Sequence, residues 1–159
     1  LLSWLREVQN SVIEYDKSQQ FAFKAGPTFF VSSYINAWAT GYSTDSSLYD
    51  ATSSANGIYV REDGIYKIDG CQRVNGTGNT YVGLAINGSR PALEGTDDSL
   101  YTHDHASTTN KYSITSYTGF IEADSLITLG PIDSTKASYL LYGPNDYIGS
   151  IRVQRISAI

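Results

Sequence analysis

The run Asn56-Gly57-Ile58-Tyr59-Val60-Arg61-Glu62-Asp63-Gly64-Ile65-Tyr66-Lys67-Ile68-Asp69-Gly70 constrains this chain more than any other stretch. Two Gly-Ile-Tyr starts, at Gly57 and Gly64, each open an alternating apolar/polar segment. Side chains of a strand point to opposite faces in turn, so Ile58 and Val60 share one face and Tyr59 and Arg61 the other. By the same rule Tyr66 and Ile68 lie together, opposite Lys67. The short acidic link Glu62-Asp63-Gly64 reads as a turn, and the whole pattern predicts a β-hairpin.

Similar segments recur from residue 21 to the end. Residues 21–25, 29–39, 57–60, 64–74, 81–86, 111–117, 125–129, 138–141 and 147–154 are rich in Tyr, Phe, Val, Ile and Thr and are bounded by Gly, Asn, Asp and Pro. Many short strands with regular turn signals predict an all-β sandwich or jelly roll. Two Ser/Thr/Asp-rich stretches, 40–56 and 89–110, interrupt the rhythm and read as long loops.

The N-terminus follows a different period. Leu1, Leu5, Val8, Val12 and Tyr15 form a heptad seam, with Arg6, Glu7, Asn10 and Glu14 off it. So short a helix is marginal alone in water. It reads as the end of a coiled coil, or as an amphipathic helix docked on its own domain. The β-branched Val8 at a d position favours three strands over two. The expected division is 1–18 as the end of a coiled-coil stalk and 19–159 as the head.

Composition narrows the function. The 159 residues carry a formal charge of −5, with 13 tyrosines against five phenylalanines, no methionine and one cysteine. Without clustered Lys and Arg, nucleic acid is not an expected partner. No stretch has the apolar length of a membrane span or reads as a signal peptide, so membrane insertion is not expected. The start at Leu1-Leu2-Ser3-Trp4 suggests a piece of a longer chain. Cys71 falls in a predicted strand and reads as a buried, inert thiol.

Taken in order, the segments resemble the C1q-like head, a branch of the tumour-necrosis-factor (TNF) jelly-roll superfamily. Phe21-Ala22-Phe23-Lys24-Ala25 is similar to its opening strand. Asn56-Gly57-Ile58-Tyr59 with Asp63-Gly64-Ile65-Tyr66-Lys67-Ile68 is similar to its paired central strands. Val82-Gly83-Leu84-Ala85-Ile86-Asn87-Gly88 matches the strand ending in an Asn-Gly turn. Phe120 to Leu129, through Glu122-Ala123-Asp124, and Tyr147-Ile148-Gly149-Ser150-Ile151-Arg152-Val153 resemble the late and closing strands. The resemblance departs at Asp124, which lacks a preceding Gly, and at Ile68, which replaces an aromatic. It implies a ten-stranded jelly roll assembled as a homotrimer. Tyr59 and Tyr66 would then build the core or the trimer contact, alongside the heptad seam.

Few residues suggest chemistry. His103 and His105 flank Asp104, and an extended backbone would aim both imidazoles the same way; on a threefold axis they could hold a transition metal. Glu94, Asp97, Asp98 and Asp104 form an acidic loop that could take calcium, as some C1q-like heads do, though EF-hand spacing is absent. No nucleophile elbow occurs, and Asn75-Gly76-Thr77-Gly78-Asn79 leads into a strand, unlike a phosphate loop. No catalytic residue is assigned, and the expected function is not enzymatic; no cofactor is expected beyond those candidate metal sites. Tyr42 and Tyr49 in the first long loop, and Tyr101 and Asp104 in the second, have the composition of a recognition surface for protein or sugar. The expected role is therefore a trimeric recognition head of a viral or phage fibre or spike. It would lie on the virion surface or outside the cell and bind a host-surface protein or glycan. The alternatives are a structural trimerisation cap and a secreted C1q-like ligand-binding protein.

Overall fold

The computed structural model describes residues 1–32, 35–74, 82–89, 111–131 and 149–158. A helix, α1 (Leu2–Gln19), precedes nine strands among the described residues: β1 (Ala22–Ser32), β2 (Ile35–Ser43), β3 (Tyr49–Asp50), β4 (Gly57–Val60), β5 (Gly64–Val74), β6 (Val82–Ile86), β7 (Lys111–Ile121), β8 (Leu126–Pro131) and β9 (Gly149–Ser157). All pairings are antiparallel. They make a five-stranded sheet in the order β2-β1-β9-β5-β7 and a four-stranded sheet in the order β3-β4-β8-β6. The segment 138–141, expected as a strand, lies outside the described residues.

The facing predicted from alternation holds, and the predicted hairpin does not. Ile58 and Val60 are buried and Arg61 exposed, and Tyr66 and Ile68 are buried opposite exposed Lys67. Yet β4 pairs with β3 and β8, whereas β5 pairs with β7 and β9. The Arg61-Glu62-Asp63 link thus carries the chain from one sheet to the other. Gly64 is not in the left-handed conformation that an Asp-Gly hairpin turn needs; among described glycines only Gly26 and Gly88 are. It is small for another reason: a Cβ there would stand 2.5 Å from Arg155 Nε and 2.8 Å from the Ser157 carbonyl. The turn expected at Asn87-Gly88 does form, with φ of 51° and 78° and the Ile86 N–H donating to the Ser89 carbonyl at 2.8 Å.

The expected strand over 29–39 is also corrected. Gly26 and Pro27 do not end β1; the chain continues to Ser32 and turns back as β2. Gly26, at φ 67°, precedes a register shift between Pro27 and Phe29. Pro27 lacks an N–H, and among the described residues the β1–β9 pairing runs from Ala22 to Ala25 and stops short of it. Strand β2 then runs into the expected loop as far as Ser43.

The core lies between the sheets. Leu48, Ile58, Ile68, Leu84, Ile121, Ile127, Leu129, Ile151 and Val153 fill it, with Tyr49 and Tyr66 among its largest members. Burying each aliphatic side chain contributes about 1.5–3 kcal/mol. No described helix is long and apolar enough to cross a membrane.

Candidate functional site

Helix α1 presents its polar side to the head. Glu14 Oε2 lies 2.7 Å from Arg155 Nη1, and Lys17 Nζ lies 2.8 Å from Glu62 Oε2. Gln154 Nε2 donates to the Ser18 carbonyl at 2.7 Å, and Arg155 Nε donates to the Asp63 carbonyl at 3.0 Å. Side chains step about 100° per residue round a helix, which puts the seam of Leu1, Leu5, Val8, Val12 and Tyr15 roughly 170° from Glu14 and Lys17. The seam therefore faces away from its own head. Leu5 is 47% exposed, Val12 62% and Tyr15 68%, and no residue of α1 is buried. Among the described residues, α1 meets its own domain by its polar side and not by its apolar seam.

Arg155 was not legible as a joint residue, yet a signal for it exists. Ile151, Val153 and Arg155 share one face of β9, so a cation falls where the core face continues. The guanidinium ends the core and takes the helix carboxylate as its counter-charge. Beside it, Tyr49 and Tyr66 meet edge-on with ring centroids 6.4 Å apart. The Tyr66 hydroxyl donates to the Glu62 carbonyl at 2.6 Å, and the Tyr49 hydroxyl donates to the Gln20 carbonyl at 3.2 Å. Burial pushes both phenols above their ordinary pKa.

These contacts correct two site assignments. Tyr49 is fully buried in β3, so it is not an exposed recognition residue. The first long stretch is partly strand, and its Tyr at an inward position fills the core. Tyr66 is fully buried too and belongs to the core, not to a contact between copies. Tyr59 lies on the outer face of the four-stranded sheet, with the Arg61 guanidinium 5.1 Å above its ring. Tyr42 is 50% exposed, but on β2 and not in a loop, with its ring 5.7 Å from that of Phe23. Tyr101, His103, Asp104 and His105, with the 94–104 acidic loop, lie outside the described residues, so neither metal expectation meets a structure.

One end of the sandwich carries a polar cluster. Arg61 bridges Asp50 at 3.0 Å and Asp124 at 3.2 Å, and Asp124 adopts a φ of 61° that takes the place of the missing Gly. Asp50 also accepts the Ser53 hydroxyl and the backbone N–H groups of Ser53 and Thr52. Those hydrogen bonds, then Arg61, hold its carboxyl well below the usual range. Nearby, Lys24 is buried and donates to the Ser54 carbonyl; desolvation lowers its pKa against the pull of Asp50. Among the described residues no group of His, Cys, Asp and Glu could hold a metal ion. Cys71 is half-buried, with its sulfur 3.8 Å from Ser150 Oγ.

No protein-family model matches the chain, and no curated protein matches it. Solved structures do. A crystal structure of murine APRIL at pH 5.0 aligns with a TM-score of 0.53 at 12% identity, covering 85% of this chain and 98% of that one. The same protein at pH 8.5 gives 0.52 at 13% identity, again covering 85% and 98%. The fold is a TNF-like β-sandwich. At such identity the likeness extends to architecture alone, and the TNF-like sandwich here carries an N-terminal helix whose apolar seam faces away from it.

Proposed function

We propose that this chain is a non-enzymatic, homotrimeric recognition head on a coiled-coil stalk. One observation carries the reading: α1 binds its own head by its polar side and leaves a continuous Leu/Val/Tyr seam exposed. A helix of this length gains little from propensity alone, and stability must come from covering that seam. Further copies of the same chain cover it in register, and the TNF-like sandwich that follows suits a threefold head. The acidic, Tyr- and Ser/Thr-rich composition without methionine supports a viral or phage fibre or spike, exposed on the virion or outside the cell. Its partner is then a host-surface protein or glycan, met by exposed residues such as Tyr42.

Light scattering of the full chain tests the assembly, and a monomer at micromolar concentration overturns it. Truncation tests the role. If residues 1–20, joined to their natural upstream sequence, still trimerise without the head but lose binding to target cells or arrayed glycans, recognition stands. If that stalk no longer trimerises, the head is instead a structural cap.

A further inference from the structure

We infer that the junction between α1 and the sandwich is a releasable ionic latch, on which the head pivots about Gln20. The latch is polar throughout. Arg155–Glu14 at 2.7 Å, Lys17–Glu62 at 2.8 Å and Gln154 to the Ser18 carbonyl at 2.7 Å join helix to head, and no apolar residue of α1 is buried with them. Opening a joint that buries hydrocarbon costs free energy in proportion to area, whereas partly exposed ion pairs exchange protein partners for water at small net cost. Glu14, Lys17 and Glu62 side chains are 38%, 26% and 37% exposed, within reach of water while the latch is shut. Arg155 is the buried member, and the helix is part of its cover. It keeps the Asp63 carbonyl as a hydrogen-bond partner once the helix leaves.

Below the latch the chain is clamped. The Tyr49 hydroxyl holds the Gln20 carbonyl, and the Phe21 N–H donates to Thr44 Oγ1 at 2.9 Å. Between latch and clamp lies Gln20 itself, which leaves the helix in an extended conformation at φ −84° and ψ 148°. A fixed point, one extended residue and a set of water-exchangeable contacts above it make a hinge. Its use rests on the stalk reading: a head that tilts on its stalk can lie flat on an uneven target surface.

Pulsed electron paramagnetic resonance on the full chain decides it. Spin labels go on Gln9→Cys in the helix and Ser46→Cys in the head, in a Cys71→Ser background, with labelled chains diluted into unlabelled ones. At low salt one narrow distance is expected. At about 1 M NaCl, where the screening length falls to about 3 Å, the distribution broadens about twofold while near-ultraviolet circular dichroism stays unchanged. Glu14→Gln produces the broad distribution at low salt, and so does Arg155→Met. If Arg155→Met fails to fold, Glu14→Gln, on the exposed side of the latch, decides alone. A distribution that stays narrow at high salt and in Glu14→Gln overturns the latch. Broadening that appears only when the circular dichroism signal is lost overturns it as well. Light scattering of the same samples reports separately on the trimer, so failure of the stalk reading is told apart from failure of the latch.

Discussion

Tyr49 accepts the backbone N–H of Arg155 at 2.8 Å, in the buried corner where β3 meets β9. The same hydroxyl donates to the Gln20 carbonyl, so one phenol on β3 ties together β9 and the helix end. Arg155 sits beside a register shift in the β5–β9 pairing, where the ladder does not supply every partner.

Tyr49→Phe keeps the ring packing against Tyr66 and removes those two hydrogen bonds. The Arg155 N–H is then buried without an acceptor, which costs about 1–3 kcal/mol. Urea denaturation is expected to show a lower midpoint with an unchanged m-value. An unchanged midpoint would show that the hydroxyl holds nothing.

The contrast between Asp63-Gly64 and Asn87-Gly88 explains how much of the fold was legible. Both dipeptides look like hairpin turns, and alternation correctly gave the buried residues on either side of Asp63-Gly64. Alternation reports which way a side chain points, not which strand lies alongside. Of these four residues, only Asn87 and Gly88 take left-handed conformations. At Gly64 the residue is small because Arg155, remote in sequence, passes close to it. The joint was hidden for the same reason: Glu14 reads only as a residue off the seam, and the fold alone brings Arg155 to it and Glu62 to Lys17. Tyr42 and Tyr49 had the same local composition, and only the extension of β2 and the short β3 separated an exposed ring from a core one.

Two glycines should respond differently to alanine. A Cβ on Gly57 would lie 2.2 Å from the Ile127 carbonyl of β8, against backbone that cannot swing aside. Gly57→Ala is expected to cost at least the upper end of ordinary overpacking, about 3 kcal/mol. Gly88 has open space around it but a φ of 78°, so Gly88→Ala costs only the left-handed strain, about 1–2 kcal/mol. Thermal melting of both variants checks the order; equal losses would refute it.

Asp50 sets an acid limit. Its folded pKa is depressed, by the Ser53 hydroxyl first, then the backbone N–H groups of Ser53 and Thr52, then Arg61. A depressed carboxylate contributes its stability fully above the unfolded value of about 3.9, and loses it as pH falls through the lower folded value. Asp50→Asn lacks that dependence. The stability gap between wild type and Asp50→Asn should be constant near neutrality and shrink at pH below about 4. A gap that grows on acidification contradicts the assignment.

The seam makes the sharpest demand. Val12 faces away from the described part of the head and is 62% exposed, so a carboxylate there leaves the buried core untouched. Ile13 is exposed to a similar degree, 45% against 62%, but lies about 100° further round the helix. Three seam helices would bring three Val12 side chains together, and burying three like charges costs several kcal/mol. Val12→Asp is therefore expected to convert trimer to monomer at micromolar concentration, while Ile13→Asp remains trimeric. Both should keep the far-ultraviolet β signature of the sandwich, because neither residue enters its core. Light scattering reads the result directly. Equal behaviour of the two variants would mean that the helix meets its neighbours by some other face, or not at all.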